Sequence, residues 1–308
     1  MKGMELSRRY YDKVVFPAFE RLAADELDLM TFGLSGPGSE CYGYDDKLSR
    51  DHDWGPRVCI WIPEELYRQK SDRLKEIYEE LDNHFLGYGP IKRLDTRIQR
   101  DGILSTSNYY KNFLGTDRPP ENLHDWLLLP EESLSLCTNG EIFREGAGLF
   151  SNMRQVLKTY FPPDLWLKKI SSRCKAASQH GQYNLLRADR RDDRLAVEHH
   201  KSRFIYETVS LVFLLNRTYH PIDKWLFKGL GRLGILGVDI TEDLRAIIAV
   251  KRGRELYNRV DRCAERLIDE LVRQGLLNHQ GSFLYNYGMR IEQKIVDTSL
   301  RLGLDSIV

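Results

Sequence analysis

The chain has 308 residues, which suffices for one large core or, more commonly, for two domains of about 150 residues each. Hydrophobic residues make up 42% of it and no long polar tract interrupts them, so we expect a globular protein throughout. The 46 lysines and arginines face 45 aspartates and glutamates. This net charge of +1 excludes the strong overall attraction to nucleic acid that a basic protein shows.

Signals for membranes, disulfides and cysteine-bound metals are missing from the sequence. No stretch approaches the roughly 20 apolar residues that span a bilayer, and residues 1–5 lack the apolar core of a signal peptide. The five cysteines are scattered without a Cys-x-x-Cys pair, so we expect neither a zinc site nor a disulfide framework. The sequence therefore predicts a cytoplasmic protein without a membrane partner, and no pattern indicates its oligomeric state.

The first half of the chain alternates helical and extended patterns. Residues 5–30 carry apolar residues at near-helical spacing and predict one or two helices. Residues 32–43 contain four glycines, a proline and two serines, which is a loop composition. Residues 57–63 form a short apolar run, rich in β-branched and aromatic residues, that predicts a buried strand. Residues 64–85 carry an apolar stripe typical of an amphipathic helix packed on a sheet.

The later segments complete the predicted fold. Residues 91–107 predict a hairpin that turns at Arg100-Asp101-Gly102. From about residue 152 long helical stripes dominate and clear strands disappear. We therefore predict an α/β (α+β) domain with a mixed sheet over residues 1–150, followed by an all-α helical domain over residues 151–308.

The residues that carry chemistry lie between residues 32 and 54. Asp51 and Asp53 are separated by one residue, so on an extended backbone both carboxylates would face the same way and could hold Mg²⁺. The Gly38-Ser39 turn would let backbone amides approach a triphosphate, with the Ser39 hydroxyl as a further donor. His52 would point the other way, and we interpret it as a packed structural histidine.

The order of these features resembles the signature of the polymerase-beta-type nucleotidyltransferase superfamily. It consists of an apolar residue, Gly-Ser, a spacer and Asp-x-Asp leading into an apolar strand. More narrowly, Gly38-Ser39-Glu40 with residues 49–56 resembles an uncharacterised bacterial family of nucleotidyltransferase-like proteins, and residues 215–225 are similar to its helical part. The resemblance implies a nucleotidyltransferase-like domain and a helical domain that closes the cleft.

The function implied by the resemblance is transfer of a nucleoside monophosphate from an NTP to an acceptor hydroxyl or phosphate, with release of pyrophosphate. Asp51 and Asp53 would hold two Mg²⁺ ions, with Mn²⁺ as the alternative metal. A small molecule is the first expectation for the acceptor, and RNA or a protein is the alternative. A non-catalytic nucleotide-binding or interaction protein on the same fold is the rival interpretation. The sequence does not identify the base or the acceptor.

A third carboxylate is expected in such a site, and the sequence offers three candidates. Asp95 is favoured as the third catalytic acid because it sits within a predicted strand arm, while Asp101 and Glu141 remain open. Arg50 is expected either to bind phosphate or to form an ion pair with a nearby aspartate.

Two further positions lie in the helical half of the chain. Lys224 is assigned to the triphosphate by the resemblance, and the alternative is a solvated lysine at a helix end. His199 and His200 are expected to be surface residues, because they lack ligand partners at useful helical spacing.

Overall fold

The computed structural model describes residues 1–92 and 99–303. Within these residues the chain forms two compact units. The first contains Met1–Glu121 and Leu129–Thr159, and the second contains Asn122–Leu128 with the described residues from Tyr160 onward. The chain thus contributes one short segment to the second unit before returning to the first. The domain boundary expected between residues 150 and 151 stays a prediction.

In the described residues, the first unit is built on a four-stranded mixed sheet of order β3-β2-β1-β4. Its strands are β1 (Thr31–Leu34), β2 (Cys59–Ile62), β3 (Gly102–Ser105) and β4 (Glu141–Arg144). β1 pairs antiparallel with both β2 and β4, whereas β2 and β3 are parallel. Helices accompany this sheet, so the α+β expectation and the mixed sheet are confirmed.

The helices in the first part of the chain lie before, between and after the strands. They are α1 (Gly3–Tyr10), α2 (Phe16–Leu22), α3 (Glu64–Glu79), α4 (Thr106–Leu114), α5 (Leu123–Leu127), α6 (Glu131–Thr138) and α7 (Leu149–Lys158). A π-helical segment, Tyr11–Val15, joins α1 to α2. Of these helices α5 belongs to the second unit. The predicted stripe of α3 is confirmed, since Leu66, Leu74 and Ile77 are buried in the core beside the sheet.

Two boundaries differ from the sequence expectation. The glycine-rich loop begins only at residue 35, because Gly33 lies inside β1. There a side chain would collide with the backbone of β4, as an added Cβ would lie 2.6 Å from the Glu141 carbonyl oxygen. α3 ends at Glu79 rather than near residue 85, and Phe85 instead forms an isolated bridge with Tyr88.

The hairpin predicted over residues 91–107 stays a prediction, because most of its first arm lies outside the described residues. β3 lies where the second arm was expected, but its described partner is the parallel strand β2, with Cys59 opposite Gly102. A parallel pair needs a long crossover, and α3 is part of that crossover. Asp95 and the rest of residues 93–98 lie outside the described residues.

The second unit is helical in the residues described. Its helices after α5 are α8 (Pro163–Ser178), α9 (Leu185–Arg190), α10 (Arg194–Leu215), α11 (Asp223–Leu230), α12 (Gly237–Ala249), α13 (Arg254–Arg273), α14 (Leu284–Glu292) and α15 (Thr298–Leu302). A second π-helical segment, Gln179–Asn184, joins α8 to α9. Across residues 1–92 and 99–303, the helices lack the combination of length and apolar character needed to cross a bilayer.

Candidate functional site

One end of the sheet collects the predicted site segments. Because β1 is antiparallel to β2 and β4, its carboxyl end lies beside their amino ends, and β3 begins at the same end because it is parallel to β2. We call this end of the strands, together with residues 35–58, 99–101 and 139–140, the loop end of the sheet. Gly38, Ser39, Asp51 and Asp53 lie in its first segment.

The glycine-rich turn at the loop end is held by one amide side chain. Asn139 accepts a hydrogen bond from the Gly36 amide at 2.9 Å and donates one to the Gly36 carbonyl at 2.8 Å. Arg154 in turn donates to the Asn139 carbonyl at 2.6 Å and to the Cys137 carbonyl at 2.7 Å. Gly36 has φ of +122°, a conformation that favours glycine. The turn therefore has a defined backbone path before Gly38.

Gly38 is a glycine because of a close approach within the protein. Its backbone angles, φ −62° and ψ 141°, suit any residue, and it directly precedes the 3₁₀ turn Ser39–Tyr42. An added Cβ, however, would lie 2.7 Å from Arg57 Nη2 and 2.8 Å from the Glu40 carboxylate. The Ser39 hydroxyl donates to Glu40 Oε2 at 3.4 Å. The Gly38-Ser39 turn thus covers a buried ion pair.

That ion pair is formed by Glu40 and Arg57, whose side chains are each 3% exposed. Arg57 Nε donates to Glu40 Oε1 at 3.0 Å, and Arg57 Nη1 donates to the Arg100 carbonyl at 3.0 Å. Burial acts to lower the pKa of the Arg57 guanidinium, but Glu40 and the neighbouring Cys41, Cys59 and Asp101 together outweigh burial and raise that pKa. Sequence reasoning missed this pair, because neither residue type nor spacing distinguishes a buried ion pair from a solvated one.

The segment carrying Asp51 and Asp53 is not a strand. Asp51 follows the 3₁₀ turn Leu48–Arg50 with helical angles of φ −72° and ψ −36°, and Asp53 has a left-handed φ of +49°. The expectation of two carboxylates on one face of an extended backbone is therefore wrong in its premise. Gly-rich and polar residues here favour tight bends, and the apolar strand begins only at Cys59.

The two aspartates have different surroundings. The Asp51 side chain is 65% exposed and lies 3.0 Å from His52 Nδ1. Desolvation acts to raise the pKa of Asp51, but the hydrogen bonds and the charge of His52, together with the Asp51 backbone, outweigh desolvation and lower that pKa. Asp53 is 10% exposed, and its carboxylate lies 3.1 Å from Arg100 Nη1. His52 is partly exposed and contacts Asp51 instead of packing as a buried histidine.

Arg50 forms no ion pair with an aspartate among the described residues, and its role in binding phosphate stays a prediction. Its guanidinium lies 4.6 Å from the ring centroid of Trp54 and 5.6 Å from that of Tyr88. It also donates to the Met1 carbonyl at 3.2 Å. The side chain is exposed, so a stacked cation stands at the surface of the loop end.

The two described candidates for a third acid differ in burial. Asp101 is 5% exposed and accepts a hydrogen bond from the Tyr78 hydroxyl at 3.3 Å. It borders a cavity of about 550 Å³ that Tyr10, Tyr78 and Gln99 also line. Burial, reinforced by the charge of Asp101, raises the pKa of Tyr78. Glu141, at the start of β4, is exposed and forms an ion pair with Arg8.

The described arrangement does not fit a preformed magnesium site. Carboxylate oxygens are the ligands that Mg²⁺ prefers, so Asp51 and Asp53 have suitable chemistry. Among the residues described, however, the group of three possible ligand atoms that lie within 4.8 Å of one another consists of histidines of the second unit. Neither aspartate belongs to it. Asp53 also faces the cation of Arg100. A metal bound here would have to replace that contact.

The second predicted motif, residues 215–225, packs within the second unit. Arg217 lies 3.2 Å from the ring centroid of Trp166, and Tyr219 stacks on Tyr160 with centroids 4.7 Å apart. Lys224 is exposed on α11, with Nζ 5.1 Å from the Trp225 ring centroid. Arg217, Tyr219 and Lys224 of this motif therefore all contact aromatic rings of the second unit.

Comparison with known proteins gives one match. A family model described as "Domain of unknown function (DUF4037)" matches residues 126–226. The match includes residues 215–225 but not the segment that carries Gly38, Asp51 and Asp53. No curated protein and no solved structure matches the chain significantly.

Proposed function

We propose that this chain is a nucleotidyltransferase that moves a nucleoside monophosphate from an NTP to an acceptor hydroxyl or phosphate and releases pyrophosphate. The observation that carries the proposal is the convergence at the loop end of the sheet. Gly38-Ser39, the Asp51–Asp53 segment and the buried Asp101 all lie there, although Asp101 is distant from Gly38 along the chain.

The chemistry available at the loop end suits a phosphorylated ligand. Arg50 and Arg100 are cations at least partly open to solvent, and arginine binds phosphate oxygens through two parallel hydrogen bonds. Asp101 is an acid in a largely buried position beside a cavity. In the proposed enzyme the arginines would bind the triphosphate, and Asp101 is the described acid best placed to accept the acceptor's proton.

The proposed metal is Mg²⁺, or Mn²⁺ in its place, and the proposed acceptor is a small molecule. RNA and protein acceptors are the alternatives for the same chemistry. The ion pair between Asp53 and Arg100 specifically favours a second candidate, a nucleotide-binding protein without turnover. In that protein Asp53 would stay paired with Arg100, so Asp51 and Asp53 would not bind a metal ion together.

Release of labelled pyrophosphate tests the proposal. The full chain is incubated with each NTP, with Mg²⁺ or Mn²⁺, and with pools of small-molecule, RNA and protein acceptors. We expect pyrophosphate release from one NTP. The rate of release should fall at least about 100-fold in Asp53→Asn, because the proposal places the Asp53 carboxylate at the reacting phosphate, where it stabilises the transition state. Asp72→Asn is the matched control, since Asp72 is 96% exposed on α3.

The outcomes separate the two candidates. Pyrophosphate release by the wild-type chain that survives Asp53→Asn would contradict the assigned site. NTP binding that is lost in Arg50→Gln, without release from any acceptor, would favour the non-catalytic candidate. Absence of both binding and release would rule out both candidates.

A further inference from the structure

Three histidines of the second unit come together from two segments that α9 separates along the chain. His180 lies in the π-helical segment Gln179–Asn184, and His199 and His200 lie in the first two turns of α10. The Nδ1 atoms of His180 and His200 are 2.9 Å apart. One nitrogen from each of the three rings lies within 4.8 Å of the others. Spacing along α10 did not reveal this cluster, because its third member lies on a different segment.

The backbone brings these rings together through a close helix contact. Gly181, next to His180, packs directly on α10, where an added Cβ would lie 2.3 Å from Phe204 Cδ2. Only a glycine permits the segment Gln179–Asn184 to approach α10 this closely. π-helical turns are rare, and they occur frequently at functional sites. The close approach fixes His180 opposite His200.

The geometry suits ligation of one metal ion. Two nitrogens bound to a tetrahedral zinc at about 2.0–2.1 Å stand about 3.3 Å apart, so the 2.9 Å separation of the two Nδ1 atoms needs only a small adjustment. His199 is exposed, so its ring has room to rotate toward them. Three imidazoles with an open fourth position for water match a common zinc arrangement.

The donor atoms of the cluster indicate which metals it would bind. All three ligands are imidazole nitrogens. On the same helix as His199 and His200, Arg203 pairs with Glu207 at 2.7 Å, and Glu207 also pairs with Arg173 at 2.7 Å. Imidazole suits zinc, copper and nickel, whereas Mg²⁺ prefers oxygen ligands.

We propose that His180, His199 and His200 form a binding site for a divalent transition-metal ion of the zinc class, with water completing the coordination. The ion would link the segment Gln179–Asn184 to the start of α10. This site is separate in its ligands and in its metal from Asp51 and Asp53, so it stands whether or not the proposed nucleotidyl transfer is correct.

Titration of the full chain with Co²⁺, followed by competition with Zn²⁺, tests this site. After chelator treatment, we expect one equivalent of Co²⁺ to give the visible absorption of a low-symmetry, nitrogen-bound ion, and one equivalent of Zn²⁺ to abolish it. His200→Gln and, independently, the exposed variant His199→Gln should weaken the affinity, His200→Gln by at least about 100-fold. His279→Gln is the matched control, since His279 is an exposed histidine outside the cluster.

Far-UV circular dichroism without metal shows whether each variant folds, and His199→Gln keeps the test valid if His200→Gln does not. Asp72→Asn, at an exposed aspartate of α3, should leave Co²⁺ binding unchanged. Three results would overturn the proposal: equal affinity in the wild type and both cluster variants, an affinity weaker than about 1 mM, or an absorption spectrum identical to that of Co²⁺ in buffer. The last two would leave the 2.9 Å contact as a hydrogen bond between neutral histidines.

Discussion

At the scale of single residues, the buried ion pair of Glu40 and Arg57 organises the loop end of the sheet. Arg57 connects three segments, since it lies just before β2, binds Glu40 beyond β1 and donates to the carbonyl of Arg100 before β3. Gly38 leaves the space that this pair occupies. The positions of the candidate site residues therefore depend on two charges that the site chemistry does not use.

Removing one partner of this pair should be costly. Glu40→Gln leaves the Arg57 charge buried without its counter-ion, and we expect a loss of about 3–5 kcal/mol in the free energy of unfolding. Denaturant-dependent hydrogen exchange of the β2 amides measures this loss. Glu5→Gln, which breaks the exposed pair with Arg9, is the control and should cost at most about 1 kcal/mol.

The double variant Glu40→Leu with Arg57→Met completes the test. Because an apolar pair of similar size carries no buried charge, it should be more stable than Glu40→Gln alone. A Glu40→Gln variant as stable as the Glu5→Gln control would contradict a buried, charge-bearing pair.

Residue types predicted the loop that carries Gly38 and Ser39 but not the backbone at Asp51 and Asp53. The composition of residues 32–43 predicted a loop, and the loop begins at residue 35, after β1. The spacing of the two aspartates suggested a strand, whereas Asp53 has a left-handed backbone. Short polar segments have nearly equal local energies in several conformations, so contacts such as that between Asp53 and Arg100 decide among them.

At the scale of elements, the π-helical segment Gln179–Asn184 depends on one glycine. Gly181→Ala places a Cβ against the Phe204 ring, and we expect a loss of about 1–3 kcal/mol in the free energy of unfolding because the segment must move away from α10. The change should be measured by hydrogen exchange at the α10 amides. Phe204→Leu, added in the same chain, should recover part of the loss.

Gly231→Ala is the control for this substitution. Gly231 has a helical backbone, and the nearest atom to its added Cβ lies 3.9 Å away, so the change should cost little. Equal losses for the two glycines would show that the close contact between Gly181 and Phe204 does not limit the packing.

Elements with a strong periodic pattern were predictable, and strand partners were not. α3 was predicted from its stripe and its buried face is confirmed, because periodicity is a property of neighbouring residues. The parallel pairing of β3 with β2 was not predicted. Pairing brings together segments distant along the chain, and a short apolar strand suits either partner.

At the scale of the whole molecule, the chain crosses between its two compact units more than once. Asn122–Leu128 belongs to the second unit although it lies between two parts of the first. Its Trp126 is buried and contacts Phe161, with ring centroids 6.1 Å apart. This tryptophan anchors the short segment within the second unit.

Trp126→Ala should therefore weaken the second unit selectively. We expect a loss of about 3–5 kcal/mol because the substitution leaves a large cavity, and the loss should appear in the exchange of α8 amides more than in that of β2 amides. Trp61→Ala is the converse control, since Trp61 is buried in the first unit, stacked on Phe150 with centroids 4.1 Å apart. Equal effects of each substitution on both sets of amides would contradict two separately stabilised units.

The sequence by itself determined the α+β class, the helical second part, and the loop position of Gly38 and Ser39. These features follow from composition and local periodicity. Only the tertiary structure decided that Gly38 covers the pair Glu40–Arg57, that Asp53 faces Arg100, and that His180 meets His200. The physical reason is that each of these contacts joins residues far apart along the chain, and their energies depend on burial and distance that no local pattern contains.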